Sequence, residues 1–228
     1  MGKAFLTCAL LSLSGQLLAS TITHSISSTF NASSTGLTGL DFESANVSDG
    51  TTAIFAGPLD STTNNGIFST GDVPIGIAFS EPATGDLEVI GKNTTTGGGT
   101  LNTKHLTFLD CSSGLRIDLT GTVSAIGFDL FATEVDQTID VSVFDGVTLL
   151  HTETMNFTGS APLSFIGFTS TTDSFTHVTL DSQDDLYYSV DNVSFGQAVP
   201  EPHSLALGAV GAGLLFLVLA LRRVKLRS

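Results

Sequence analysis

The chain has 228 residues, with 8 Lys and Arg against 22 Asp and Glu, and a formal net charge of −14. Charged residues make up 13%, about half the share of an ordinary globular protein, while 41% are hydrophobic. The acidic balance excludes a nucleic-acid binder, two cysteines exclude a disulfide scaffold, and the hydrophobic content argues against intrinsic disorder.

Lys3 is the sole charge before an apolar run, Ala4 to Leu11, that continues loosely to Ala19. A short charged start followed by an apolar stretch too short to span a bilayer marks residues 1–19 as a secretory signal peptide, cleaved after Ala19. Cys8 lies inside that stretch, which excludes a lipoprotein. The exported chain then keeps one cysteine, Cys111, and no internal disulfide. Residues 20–198 form the body, long enough for one domain with its own core. The segment 20–199 carries Lys92, Lys104 and Arg116 against 21 acidic residues, a net charge of −18. Such a body repels anionic lipid and attracts cations.

Strand signals recur along the body. The runs are Leu37–Phe42, Ile75–Phe79, Leu101–Leu109, Leu115–Leu119, Leu163–Phe168, Phe175–Leu180 and Tyr187–Phe195. The clearest are Ile126, Phe128 and Leu130, then Ile139, Val141 and Val143, each alternating with other residues at period two. Asp145-Gly146 between two such runs predicts a tight hairpin. Asn64-Asn65-Gly66, Thr84-Gly85-Asp86 and Thr96-Gly97-Gly98-Gly99 predict turns or loops. No internal segment carries a helical stripe. About ten short strands without βα alternation predict an all-β antiparallel sandwich, jelly-roll-like, with the six alternating residues above in its core. Tyr187 and Tyr188 are adjacent, so on a strand one ring is core and the other faces out.

The C-terminal end has a different pattern. Leu205 to Leu221 is a run of 17 residues without a charge, followed by the cluster Arg222, Arg223, Lys225 and Arg227. This predicts a short transmembrane helix whose basic tail, residues 222–228, stays inside while the body faces out. Just before it stands Val199-Pro200-Glu201-Pro202. Pro-Glu-Pro, an apolar helix and an Arg-rich end together resemble the PEP-CTERM sorting signal of exported bacterial proteins, here residues 199–228. The resemblance implies cleavage near Pro-Glu-Pro by an exosortase-type membrane protease and transient insertion in the cytoplasmic membrane. The product then goes to the cell surface or an exopolysaccharide matrix.

The segment 123–196 resembles the body of many PEP-CTERM proteins. Its closing stretch, Tyr188-Ser189-Val190-Asp191-Asn192-Val193, is similar to the last strand of carbohydrate-binding β-sandwich modules, and Leu40-Asp41-Phe42-Glu43 to their first. In those modules the two strands share a structural Ca²⁺, so the resemblance implies Glu43 and Asp191 as its ligands. Asp181, Asp184 and Asp185 add carboxylates nearby in sequence, which suit a hard cation or serve as solvated turn residues. Catalysis is not expected. The five histidines show no metal-ligand spacing, no G-x-S-x-G occurs, and Cys111 lacks a nucleophile signature. Gly97-Gly98-Gly99 has no following Lys-Ser/Thr to make it a phosphate cradle. The expected function is thus a non-enzymatic surface or matrix protein, structural or adhesive and associated with exopolysaccharide. The alternatives are a calcium-stabilised carbohydrate-binding module and a secreted hydrolase.

Overall fold

The computed structural model describes residues 21–96, 99–108, 114–132, 136–158, 163–184 and 186–199. The chain enters through β1 (Ile22–His24), a one-turn helix α1 (Ser27–Ala32) and β2 (Ser34–Leu40). There follow β3 (Thr52–Ala56), β4 (Ile77–Ser80), β5 (Asp86–Ile90), the two-residue strands β6 (Thr95–Thr96) and β7 (Gly99–Thr100), β8 (His105–Phe108) and β9 (Leu115–Leu119). The second half holds β10 (Ala125–Ala132), β11 (Gln137–Asp145), β12 (Thr148–Phe157), β13 (Leu163–Thr169), β14 (His177–Ser182) and β15 (Tyr188–Ala198).

The larger sheet has the order β1-β13-β10-β15-β8-β5-β3, with β2 also paired to β15, and the smaller one β12-β11-β14-β9-β4. All pairings are antiparallel. From β9 onward the chain passes back and forth between the sheets, with only the β11–β12 hairpin staying in one. Ile126, Phe128 and Leu130 from one sheet and Ile139, Val141 and Val143 from the other are fully buried in one core, as their alternation predicts. Tyr188 is also buried; its hydroxyl donates to the Leu180 carbonyl and accepts the Leu115 N–H. Tyr187 is 42% exposed, so the adjacent pair divides as expected.

Several local expectations shift. In the β11–β12 hairpin Asp145 still pairs with Thr148, so the loop is Gly146-Val147. Only Gly146 takes a positive φ, 57°, as a turn of type II′ requires at its first central residue. The run from Leu101 becomes a strand only at His105, because Lys104 is pulled aside to bond the chain around Glu43. The run to Phe42 stops at Leu40: Phe42 adopts φ 54° and turns its ring into the core against Phe79.

The helix α1 is a correction to the strand-only reading. Its six residues are too few for intrinsic stability. It forms because Phe30 is fully buried on the outer side of the larger sheet. The floor beneath it is the cross-strand pair Gly127 and Gly167, which also receives the Phe165 ring.

Candidate functional site

The smaller sheet presents a polar outer face. In β9 Leu115, Ile117 and Leu119 point inward, which leaves Arg116 and Asp118 outside. The same alternation turns out Asp140, Ser142 and Phe144 on β11, and Ala78 and Ser80 on β4. Register aligns these in rows. Thr152, Ser142, Thr179, Arg116 and Ser80 form one, and Phe144, His177, Asp118 and Ala78 the next. Asp140 and Asp181 begin a third. Apart from His177, these side chains are half-buried or exposed.

Contacts within the face hold its groups in place. The Arg116 Nε donates to Asp118 Oδ1 at 2.8 Å, with a second guanidinium nitrogen at 2.7 Å. Asp140 accepts from the Thr154 hydroxyl at 2.6 Å and from the Gln183 amide at 2.8 Å. The Ser142 and Thr152 hydroxyls are 2.7 Å apart. The rings of Phe144 and His177 are stacked, 4.5 Å between centroids and 5° from parallel. Burial pushes the His177 pKa down and the Arg116 charge adds to this, against the pull of Asp118. At neutral pH the imidazole is therefore uncharged. The face offers the Phe144 ring backed by His177, one guanidinium and a field of hydroxyls and carboxylates.

A second polar region lies on the larger sheet, where the sequence places Glu43 and Asp191. The β10–β15 ladder slips between Gly127 and Asp129, so Asn192 and Val193 together oppose Phe128. This bulge puts Asn192 at φ 49° and turns its amide onto Asp129 Oδ2 at 2.8 Å. Asp191 is 2% exposed, and its carboxylate accepts the Asn192 N–H at 2.7 Å. Burial raises its pKa to about 7, helped by the charges of Asp129 and Glu43 and opposed by the Thr103 hydroxyl and the Asn192 N–H.

Glu43 is held from another direction. Its carboxylate pairs with Lys92 at 2.7 Å and accepts the Lys104 N–H at 3.2 Å. The Lys104 ammonium donates to the carbonyls of Glu43 at 3.2 Å and Ala45 at 2.5 Å. Two of the body's three cations thus converge on the chain around Glu43, whose charge acts on Asp191. No group of three or more His, Cys, Asp or Glu side chains suited to a metal ion occurs among the described residues. Asp181 is exposed on β14, and Asp184 accepts the Thr138 N–H at 3.0 Å.

Beside the bulge opens a hollow of about 550 Å³, lined by residues that include Asp41, Ser44, Asp72, Asn192 and Ser194. Its two carboxylates brace their own turns: Asp41 accepts the Glu43 N–H, and Asp72 the Ser69 N–H. On the outer side of the larger sheet, His105 Nε2 and Ser189 Oγ are buried without a hydrogen bond, to each other or to any other described group. Burial pushes the His105 pKa down.

Val199 closes the described chain, its N–H bonded to the Ser33 carbonyl at 2.8 Å. Pro200, Glu201, Pro202, the apolar run 205–221 and the cluster Arg222, Arg223, Lys225 and Arg227 lie outside the described residues. So do the signal peptide, Cys111, Asp185, Gly97 and Gly98. The outer face of the smaller sheet was not singled out from the sequence. Its signal was the alternation in Leu115–Leu119, which reads as a strand without revealing that its polar side stays open.

No family model matches the chain, and no curated protein does. Solved structures that match include TmCBM61 in complex with β-1,4-galactotriose, at 16% identity over 53% of this chain and 88% of that one, with a TM-score of 0.31. A family 6 carbohydrate-binding module matches at 16% identity over 63% of this chain and 95% of that one, TM-score 0.33. The K1 cleaved adhesin domain of Lys-gingipain from Porphyromonas gingivalis W83 matches at 11% identity over 72% and 99%, TM-score 0.29. TM-scores of this size speak to neither ligand nor activity.

Proposed function

We propose that the chain is an exported, non-enzymatic β-sandwich that binds polysaccharide across the outer face of its smaller sheet. In this reading the C-terminal signal sorts it through an exosortase to the cell surface or matrix. The observation that carries the binding role is the make-up of that face. A sugar presents a C–H surface and a ring of hydroxyls, each both donor and acceptor. The half-buried Phe144 ring, backed by the buried His177 on which it stacks, supplies an apolar plane, while Arg116, Asp118, Asp140 and Thr179 supply directional donors and acceptors. Five strands about 4.8 Å apart give a breadth of about 19 Å, enough for several sugar units. A body of net charge −18 favours neutral or amino-sugar chains over uronate-rich ones.

The test is a glycan array, followed by calorimetry on the exported segment 20–199. Neutral polysaccharide is expected to bind, and Phe144→Ala and Arg116→Ala are each expected to weaken binding about tenfold, or ~1.4 kcal/mol. Asp72→Ala, in the hollow beside the bulge, is expected to leave affinity unchanged. Loss of binding in the hollow variant alone, or no glycan bound at all, refutes this assignment of the site.

A further inference from the structure

Val147 is fully exposed and Ile75 is 86% exposed, the two most exposed large apolar side chains among the described residues. Both sit at one end of the sandwich. The Gly76 carbonyl accepts the Thr120 N–H at 2.9 Å, and the Leu119 N–H reaches Thr176 at 2.8 Å. Thr176 in turn accepts the Gly146 N–H at 2.8 Å. The end of β15 lies there too: the Gln197 amide bonds the Thr122 carbonyl at 2.7 Å, and the Ala198 N–H bonds Ser124 at 2.9 Å. The chain therefore leaves the body, at Val199, from the end that displays these two tips.

Six residues on, Leu205 opens the uncharged run. Six steps of extended chain reach about 20 Å, so a body tethered by that run stays close to the bilayer. We propose that this end of the sandwich rests on lipid, with Ile75 and Val147 dipping into the interface. The proposal rests on the reading of residues 205–221 as a membrane segment. Lone apolar residues on a surface are ordinary, but two at near-full exposure on the tethered end have bilayer within reach. Asp145, which ends β11, and Asp173 in the loop before β14 stand at this end, so the favoured surface is zwitterionic rather than anionic. Docked in this way, the body holds Val199, where the described chain ends, at the membrane surface.

The chain contains no tryptophan, so single Ile75→Trp and Val147→Trp variants report depth cleanly. Leu163→Trp is the control; Leu163 is 46% exposed and pairs with Phe131, at the opposite end of β10. Each full chain is reconstituted into phosphatidylcholine vesicles, with and without brominated acyl chains, and recovered by flotation. Tryptophan emission at 75 and 147 is expected to shift to shorter wavelength and to be quenched by the brominated lipid, while emission at 163 stays unquenched. Floated protein with no quenching at 75 and 147, or equal quenching at 163, overturns the docking while leaving the tether intact. Failure to float refutes the tether reading, and the docking with it.

Discussion

Asp191→Asn is expected to make the protein more stable at pH 8 while changing little at pH 4. The Asp191 carboxyl has its pKa raised from 3.8 to about 7, chiefly by burial. Between those values the folded state keeps a proton that the unfolded chain has released, so the native protein loses stability as pH rises from about 4 to about 7, and the loss is complete above that. A shift of about three units corresponds to up to ~4 kcal/mol at pH 8. Asn is neutral throughout and keeps an acceptor for the Asn192 N–H, so it removes this loss. In a body of this size the gain is on the order of 10 °C in Tm. Thermal unfolding of both proteins at pH 4.5 and pH 8, in the presence of a chelator, measures it. An equal Tm difference at the two pH values refutes the titration of Asp191. The same measurement with added Ca²⁺ tests the cation implied by the strand resemblance. A calcium ion on Asp191 and Glu43 would keep the carboxylate ionised in the native state. Ca²⁺ would then stabilise the wild type, and Asp191→Asn would abolish that gain.

Phe30→Ala is expected to cost about 3–5 kcal/mol, the usual price of emptying a buried aromatic site, although Phe30 belongs to a helix of only six residues. Gly167→Val should reproduce much of the loss from the opposite side. A Cβ at Gly167 would lie 2.7 Å from the Phe30 ring and 3.0 Å from the Phe165 ring, so one of them must leave. The two substitutions act on one contact. Their combined effect is therefore expected to fall short of the sum. Hydrogen exchange should show faster amide exchange across 22–33 in both variants, with β11 and β14 still protected. Uniform loss of protection across both sheets would mean that the N-terminal segment is not a separate local unit. Among the described residues β1 is an edge strand paired with β13, and it carries the His24–Thr169 hydrogen bond at 2.9 Å, so it should loosen together with α1.

Much of the body was legible because its strands are locally encoded. Ile126, Phe128 and Leu130, like Ile139, Val141 and Val143, alternate with residues the core does not need, and period two shows this without reference to the rest of the chain. The division of Tyr187 from Tyr188 follows from the same geometry. The hairpin was visible but misplaced by one residue, because Asp-Gly and Gly-Val loops compete there and the pairing of Asp145 with Thr148 chooses between them. Strands β1, β3 and β5 and helix α1 passed unnoticed. In β3 five residues with one buried side chain, and in α1 six residues with no apolar stripe, carry too weak a period to stand out.

The candidate site divides in the same way. Glu43 and Asp191 could be chosen from short strand patterns, but only the fold shows that Lys92 and Lys104 gather around one and that the other is buried beside a bulge. The polar face of the smaller sheet depends on register: Phe144 meets His177 across a gap of 33 in sequence, and Arg116 meets Thr179 across 63. By itself the sequence determined the all-β class, the acidic body, the main core positions and the expectation of export, since each follows from composition or from residues near one another in the chain. Only the tertiary structure decided which polar residues share a surface, where Phe30 is received, and which end of the sandwich leads to the C-terminal segment. These depend on pairings between distant strands, whose alignment is set by the packing of the whole core.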